Sequence, residues 1–144
     1  MSRGSIIFRS IYATCLALAT ITHVLVDVRY GVLLGGLEPL GYPFGVRLYW
    51  ASLTLLDPLA ALLLFFRPRA GLVLCVVIIV TDILNNSWVA YHRSEFASTV
   101  LDNSRMLDHR SGVDMNLVLQ VTFLLFVLAT VRYAWQGLPK NALP

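Results

Sequence analysis

Four stretches of about twenty predominantly apolar residues dominate the sequence, near Ile6–Val28, Val46–Phe66, Ala70–Tyr91 and Val113–Tyr133. A helix of that length crosses a hydrocarbon core of about 30 Å. Period-two alternation is absent, and a barrel needs more strands, so helices are the spanning elements. Charged residues make up 13% of the chain and hydrophobic residues 58%. A soluble domain carries about 25% charged residues, so a water-exposed polar shell is excluded. The expected fold is therefore all-α: one integral membrane domain over 1–144, built as a four-transmembrane-helix bundle.

Orientation follows from the basic residues. One side would hold Arg3, Arg9, Arg67, Arg69, Arg132 and Lys140 with no acid. The other would hold Arg29, Arg47, Arg93, Arg105 and Arg110 together with Asp27, Glu38, Glu95, Asp102, Asp108 and Asp114. The first side is expected to be cytoplasmic, with both termini there and Arg67-Pro68-Arg69 as a tight turn. Two longer loops, Arg29–Gly45 and His92–Gly112, would face outward. The first is rich in Gly and Pro, and Ser94–Leu107 of the second has a helical pattern suited to the membrane surface.

Span one is read as retained, because it exceeds the apolar core of a signal peptide. Tyr12-Ala13-Thr14-Cys15 is a poor lipoprotein cleavage box. Aromatic residues fall at the predicted boundaries. Tyr30, Tyr42, Tyr49, Trp50, Trp88 and Tyr91 lie at the outer one, and Phe65, Phe66, Tyr133 and Trp135 at the inner one.

The informative residues are polar and lie inside the spans. A charged side chain at a helix centre costs about 2.5–3.5 kcal/mol on insertion scales. Asp57 and Asp82 lie at similar depth, about 16–18 Å from their helix starts. Helical spacing gives each acid company on its own face. Asp82, Asn85 and Asn86 share one face of span three, and Trp50, Thr54 and Asp57 one face of span two. Thr20, His23 and Asp27 line up on span one, Asn116 and Gln120 on span four. These groups would converge in the outer half of the bundle, since lipid-facing placement leaves them unpaired. The inner half reads as almost wholly apolar, with Leu62, Leu63, Leu64, Leu72, Leu124 and Leu125. Pro58 removes the backbone hydrogen bond to the Thr54 carbonyl and kinks span two beside Asp57.

Two carboxylates at one depth in a low dielectric cannot both stay ionised without a cation. No intramembrane Lys or Arg is available to them. The candidates are His23, a ligand amine, a metal ion or a proton. His23 and Asp27, one turn apart, can also orient an imidazole for acid–base work. His92 and His109 are expected to be solvated. Cys15 and Cys75 sit in apolar runs without metal-ligand spacing, so they read as small hydrophobes. No basic cluster with interleaved aromatics points to nucleic acid. No intramembrane lysine for retinal, phosphate loop, GxSxG or HExxH motif, or arginine run for voltage sensing occurs. Neither a resident cofactor nor a metal is expected.

Thr22-His23-Val24-Leu25-Val26-Asp27, a His-then-Asp pattern late in span one, resembles the emopamil-binding/sigma-2 receptor (EXPERA) superfamily of small four-span proteins. So does Trp50-Ala51-Ser52-Leu53-Thr54-Leu55-Leu56-Asp57-Pro58, a tryptophan, an acid and then a proline. Asp57 stands where that family usually has Glu, and Asp82-Ile83-Leu84-Asn85-Asn86 is more polar than its pattern. The resemblance implies a pocket for a sterol-like or cationic amphiphilic molecule, open sideways to lipid. Asp27 and Asp57 would face the ligand, and His23 and Trp50 would line the pocket.

The reading is a binder of a lipid-like or cationic amphiphilic small molecule. Asp57 and Asp82 form the floor of its site, and His23, Asp27, Trp50, Thr54, Asn85, Asn86, Asn116 and Gln120 line it. Isomerase chemistry is left open. One alternative is an oligomeric proton- or cation-coupled transporter. Another is an accessory subunit of a larger membrane complex, with the polar groups acting as glue between helices. Short loops favour a bacterial inner membrane, with the endoplasmic reticulum as the alternative, and a homodimer is compatible with either.

Overall fold

Residues 3–30, 42–92 and 115–136 are described by the computed structural model. Four α-helices fill almost all of this length: α1 (Arg3–Tyr30), α2 (Phe44–Phe66), α3 (Pro68–Tyr91) and α4 (Met115–Gln136). Among the described residues there is no strand. The expected surface helix at Ser94–Leu107 lies outside the described residues. So do His109, Lys140, Glu38, Glu95, Asp102, Asp108 and Asp114, and the side chains of Arg29 and Tyr30.

The sharpest break in the chain is the α2–α3 turn, and its chemistry is local. A residue before proline is pushed out of the helical region. Arg67 obeys, with φ −136° and ψ 72°. Its N–H still donates to the Leu63 carbonyl at 2.8 Å, closing α2, and its carbonyl accepts the Gly71 N–H at 3.0 Å, opening α3. Pro68 takes the first helical position, where its missing N–H costs nothing. Gly71 packs under this turn. A Cβ there would fall on the backbone of Leu63 and Leu64, so only glycine lets the two helices approach so closely. α2 continues through Pro58 as one helix.

The helices pack in a ring in chain order, α1 on α2, α2 on α3, α3 on α4 and α4 back on α1. Tyr12, Leu16, Leu53, Leu64, Leu72, Cys75, Ile78 and Val127 form the core, with residues from all four helices. Cys15 and Cys75 are both free thiols. Phe8 and Tyr12 of α1 interlock with Phe123, Phe126 and Tyr133 of α4, at ring separations of 5.9–6.3 Å.

All four helices are long and apolar enough to cross a membrane. Their surfaces suit such surroundings. Val28 is 79% exposed, Leu55 75%, Phe66 78% and Leu119 62%. A monomeric soluble protein rarely presents a continuous apolar surface of this kind. The exposed hydroxyls behave accordingly. Thr14, Thr22 and Thr122 each donate to a carbonyl one turn back on their own helix, as a hydroxyl without water must.

One expectation is corrected here. The half of the bundle that holds the α2–α3 turn is not almost wholly apolar, and Arg9 is not a solvated flanking charge. Arg9 is only 1% exposed. Its guanidinium donates to the Ser5 carbonyl at 3.1 Å and to the Leu64 carbonyl at 2.9 Å. The last carbonyls of a helix have no intrahelical partner and carry the negative end of its dipole. Arg9 thus caps α2 from α1. Beside it Ser5 donates to the Ala134 carbonyl of α4 at 2.7 Å, and the Tyr12 and Thr130 hydroxyls share a 2.6 Å hydrogen bond.

Candidate functional site

The polar residues of the opposite half meet between the helices. α1 brings His23 and Asp27 against α2. The His23 Nε2 lies 3.6 Å from Asp57 Oδ2, and Thr54 donates to Asp27 Oδ2 at 2.6 Å. Each acid is therefore served by the neighbouring helix. Asp27, one turn along α1, is near enough for its charge to act on His23.

A second set of contacts joins α2, α3 and α4. Trp50 Nε1 donates to Asn86 Oδ1 at 3.1 Å. The Asn86 amide nitrogen donates to Asp82 Oδ1 at 3.1 Å and to Gln120 Oε1 at 3.2 Å. Gln120 Nε2 donates to Asp82 Oδ2 at 2.5 Å. Both oxygens of Asp82 are thus engaged, and the amides of Asn86 and Gln120 are keyed by one another.

Asp57 is served differently. It is 2% exposed, and its Oδ1 is a buried oxygen with no hydrogen-bond partner. Its other oxygen faces an imidazole, which carries charge only when protonated. Asp82 is near enough to add its own field. Neither acid pairs with Lys or Arg among the described residues. Arg9 is buried, but its hydrogen bonds to Ser5 and Leu64 keep it in the other half. Among the described residues, no three His, Cys, Asp or Glu side chains gather where a metal ion could sit.

Most of the residues singled out in the sequence therefore meet: His23, Asp27, Trp50, Thr54, Asp57, Asp82, Asn86 and Gln120. Asn85 is half-buried beside them, and its amide nitrogen has no hydrogen-bond partner. Asn116 is exposed on α4. Tyr49, expected in the outer aromatic belt, packs against the core, and Trp50 does so as a residue expected to line the site. The Tyr49 hydroxyl bonds to Thr81 at 3.1 Å, and Trp50 packs edge-on against Tyr42 at 5.3 Å. Trp88, Tyr91, Phe65, Phe66, Tyr133 and Trp135 remain exposed, as belt residues should.

Fold and site define an all-helical bundle with four helices able to span a membrane and a buried carboxylate network. No family model, curated protein or solved structure matches the chain.

Proposed function

We propose that the chain is an integral membrane protein that binds a lipid-like or cationic amphiphilic small molecule, with Asp57 receiving its ammonium group. The observation that carries this reading is the buried Oδ1 of Asp57, a strong acceptor with no donor. A buried carboxylate lacking a full counter-charge is costly, and an N–H⁺ group from a ligand supplies both the donor and the charge. His23, which touches the Asp57 carboxylate, has 22% of its side chain exposed and so links it to the surface. Asp82, held by Asn86 and Gln120, provides the negative field behind it. The exposed apolar helix faces suit a ligand that arrives through lipid. The EXPERA-like pattern in α1 and α2 agrees with a ligand of this class, and an acid and a base in different surroundings would also serve an isomerase. On the positive-inside rule the termini face the cytoplasm, and we place the protein in a bacterial inner membrane.

The test is binding of dodecylammonium against neutral dodecanol to the purified protein, read by native mass spectrometry. The ammonium compound should bind with at least tenfold preference, and Asp57→Asn should abolish that preference. Equal retention of both compounds by the wild-type protein would sink the reading.

A second reading, proton-coupled transport, is favoured by one observation. His23 lies against Asp57 and within electrostatic reach of Asp27, so three titratable groups stand in series across α1 and α2. It requires substrate-driven proton movement in sealed vesicles, whereas a simple binder leaves the internal pH unchanged.

A further inference from the structure

The antiparallel bundle gathers four helix ends at the Arg67–Pro68 turn. There the N-terminus of α1 supplies Arg3, the turn supplies Arg67 and Arg69, and the last turns of α4 supply Arg132. The contact of Ser5 with Ala134 and that of Arg9 with Leu64 hold these ends at one level. Arg3, Arg67 and Arg132 are exposed. All described acids, Asp27, Asp57 and Asp82, lie in the other half, so nothing acidic among the described residues offsets this charge.

Arg9 clarifies what the other arginines do. It is turned inward to cap α2, and it therefore contributes little to the surface charge. The remaining ring is not needed for that cap. Exposed apolar anchors surround it: Phe65, Phe66, Tyr133 and Trp135, between 42% and 78% exposed. Arg132 lies over the Tyr133 ring, 4.6 Å from its centroid. Aromatic rings of this kind sit at headgroup depth, which sets the arginines level with lipid phosphates.

From this juxtaposition we infer that the arginine ring, Arg3, Arg67 and Arg132, is a binding surface for the headgroups of anionic phospholipids. A guanidinium carries a planar fork of donors that matches two phosphate oxygens, and Arg132, with one terminal nitrogen donating to the Tyr133 hydroxyl, keeps its other donors for a headgroup. Three such groups around one bundle end recognise a net negative headgroup and discriminate against a zwitterionic one, whose own ammonium repels them. The inference rests on the helices spanning a bilayer and is independent of the ligand proposed for Asp57.

The experiment uses the full-length protein in detergent, titrated with phosphatidylglycerol or phosphatidylcholine of the same acyl chains. Bound lipid is counted by native mass spectrometry and thermal unfolding is followed in parallel. At about a factor of five per basic residue near the surface, the three arginines should favour phosphatidylglycerol on the order of a hundredfold. The preference should shrink at high salt, and R3Q/R67Q/R132Q should lose most of it while keeping phosphatidylcholine binding. Equal retention of the two lipids by the wild-type protein overturns the inference. So does undiminished preference in the triple variant. Inorganic phosphate is the third arm. If it protects against unfolding as well as the lipid does, the site is a free-anion site and the lipid assignment fails. Should the triple variant not fold, the salt dependence of the wild-type preference decides: a preference unchanged between 50 mM and about 1 M salt, where screening falls to about 3 Å, overturns it.

Discussion

Asp57 and Asp82 are chemically identical, yet their neighbours give them opposite roles. Asp82 accepts from Asn86 and Gln120 on both oxygens. Asp82→Asn would place an amide N–H₂ against one of these donors, and a buried donor facing a donor costs about 1–3 kcal/mol. Thermal unfolding should therefore show a clear loss of stability. Asp57→Asn removes a poorly compensated buried charge and should leave stability unchanged or raise it, while amine binding falls at least tenfold. If both substitutions destabilise equally and ligand retention is unaffected, the carboxylates are glue between helices. His23→Phe keeps an aromatic ring, somewhat larger than imidazole, and removes the group that can be protonated. It should weaken any pH dependence of binding between about pH 5 and 8, the range in which imidazole changes charge.

These residues were legible in the sequence because intramembrane polarity is rare. Helical spacing then predicted which of them share a face. Spacing cannot say which face meets which. The sequence offers His23 both to Asp27 along α1 and to the Asp57–Asp82 pair, and the bundle sets it on Asp57, with Thr54 on Asp27. Asn116 shows the same limit, since its i+4 partner Gln120 turns inward and it does not. Arg9 was missed for a related reason. A basic residue near a predicted span end looks like a flanking charge, and only the tertiary fold shows that the α2 carbonyls lie within its reach.

At the scale of the helix, the predicted spans and the observed helices agree to within a few residues at each end. The apolar run sets the length, and proline sets the α2–α3 boundary. Two element-scale predictions follow from how the helix ends are held. Gly71→Ala forces a methyl onto the Leu64 backbone, and overpacking of this kind costs about 1–3 kcal/mol. It should lower the midpoint of unfolding in denaturing detergent without altering amine affinity. Arg9→Met retains the apolar stem but leaves the Leu64 carbonyl without its charged donor. The expected loss is about 1.5–3 kcal/mol by the same measurement, again with ligand binding intact. Failure of either variant to lose stability would mean that the helix ends relax independently of their packing.

For the whole molecule, the division of labour is vertical. One half carries the Arg9 cap, the Ser5 and Tyr12 hydrogen bonds and the aromatic seam between α1 and α4. The other carries the carboxylates. α4 belongs least to either, since less of its apolar length is buried in the bundle than for any other helix. Thr130 and the Ala134 carbonyl tie one end of it to α1, and Gln120 ties it to α3 further along. The ten residue steps from Thr130 to Gln120 form a lever of about 15 Å. With the Thr130 end fixed, a tilt of about 10° displaces Gln120 by roughly 2.6 Å, enough to part it from Asp82 and Asn86, and shifts Phe123, nearer the pivot, by less. α4 is thus a lever, and a rigid-body tilt about its Thr130 end is felt most where the acids are.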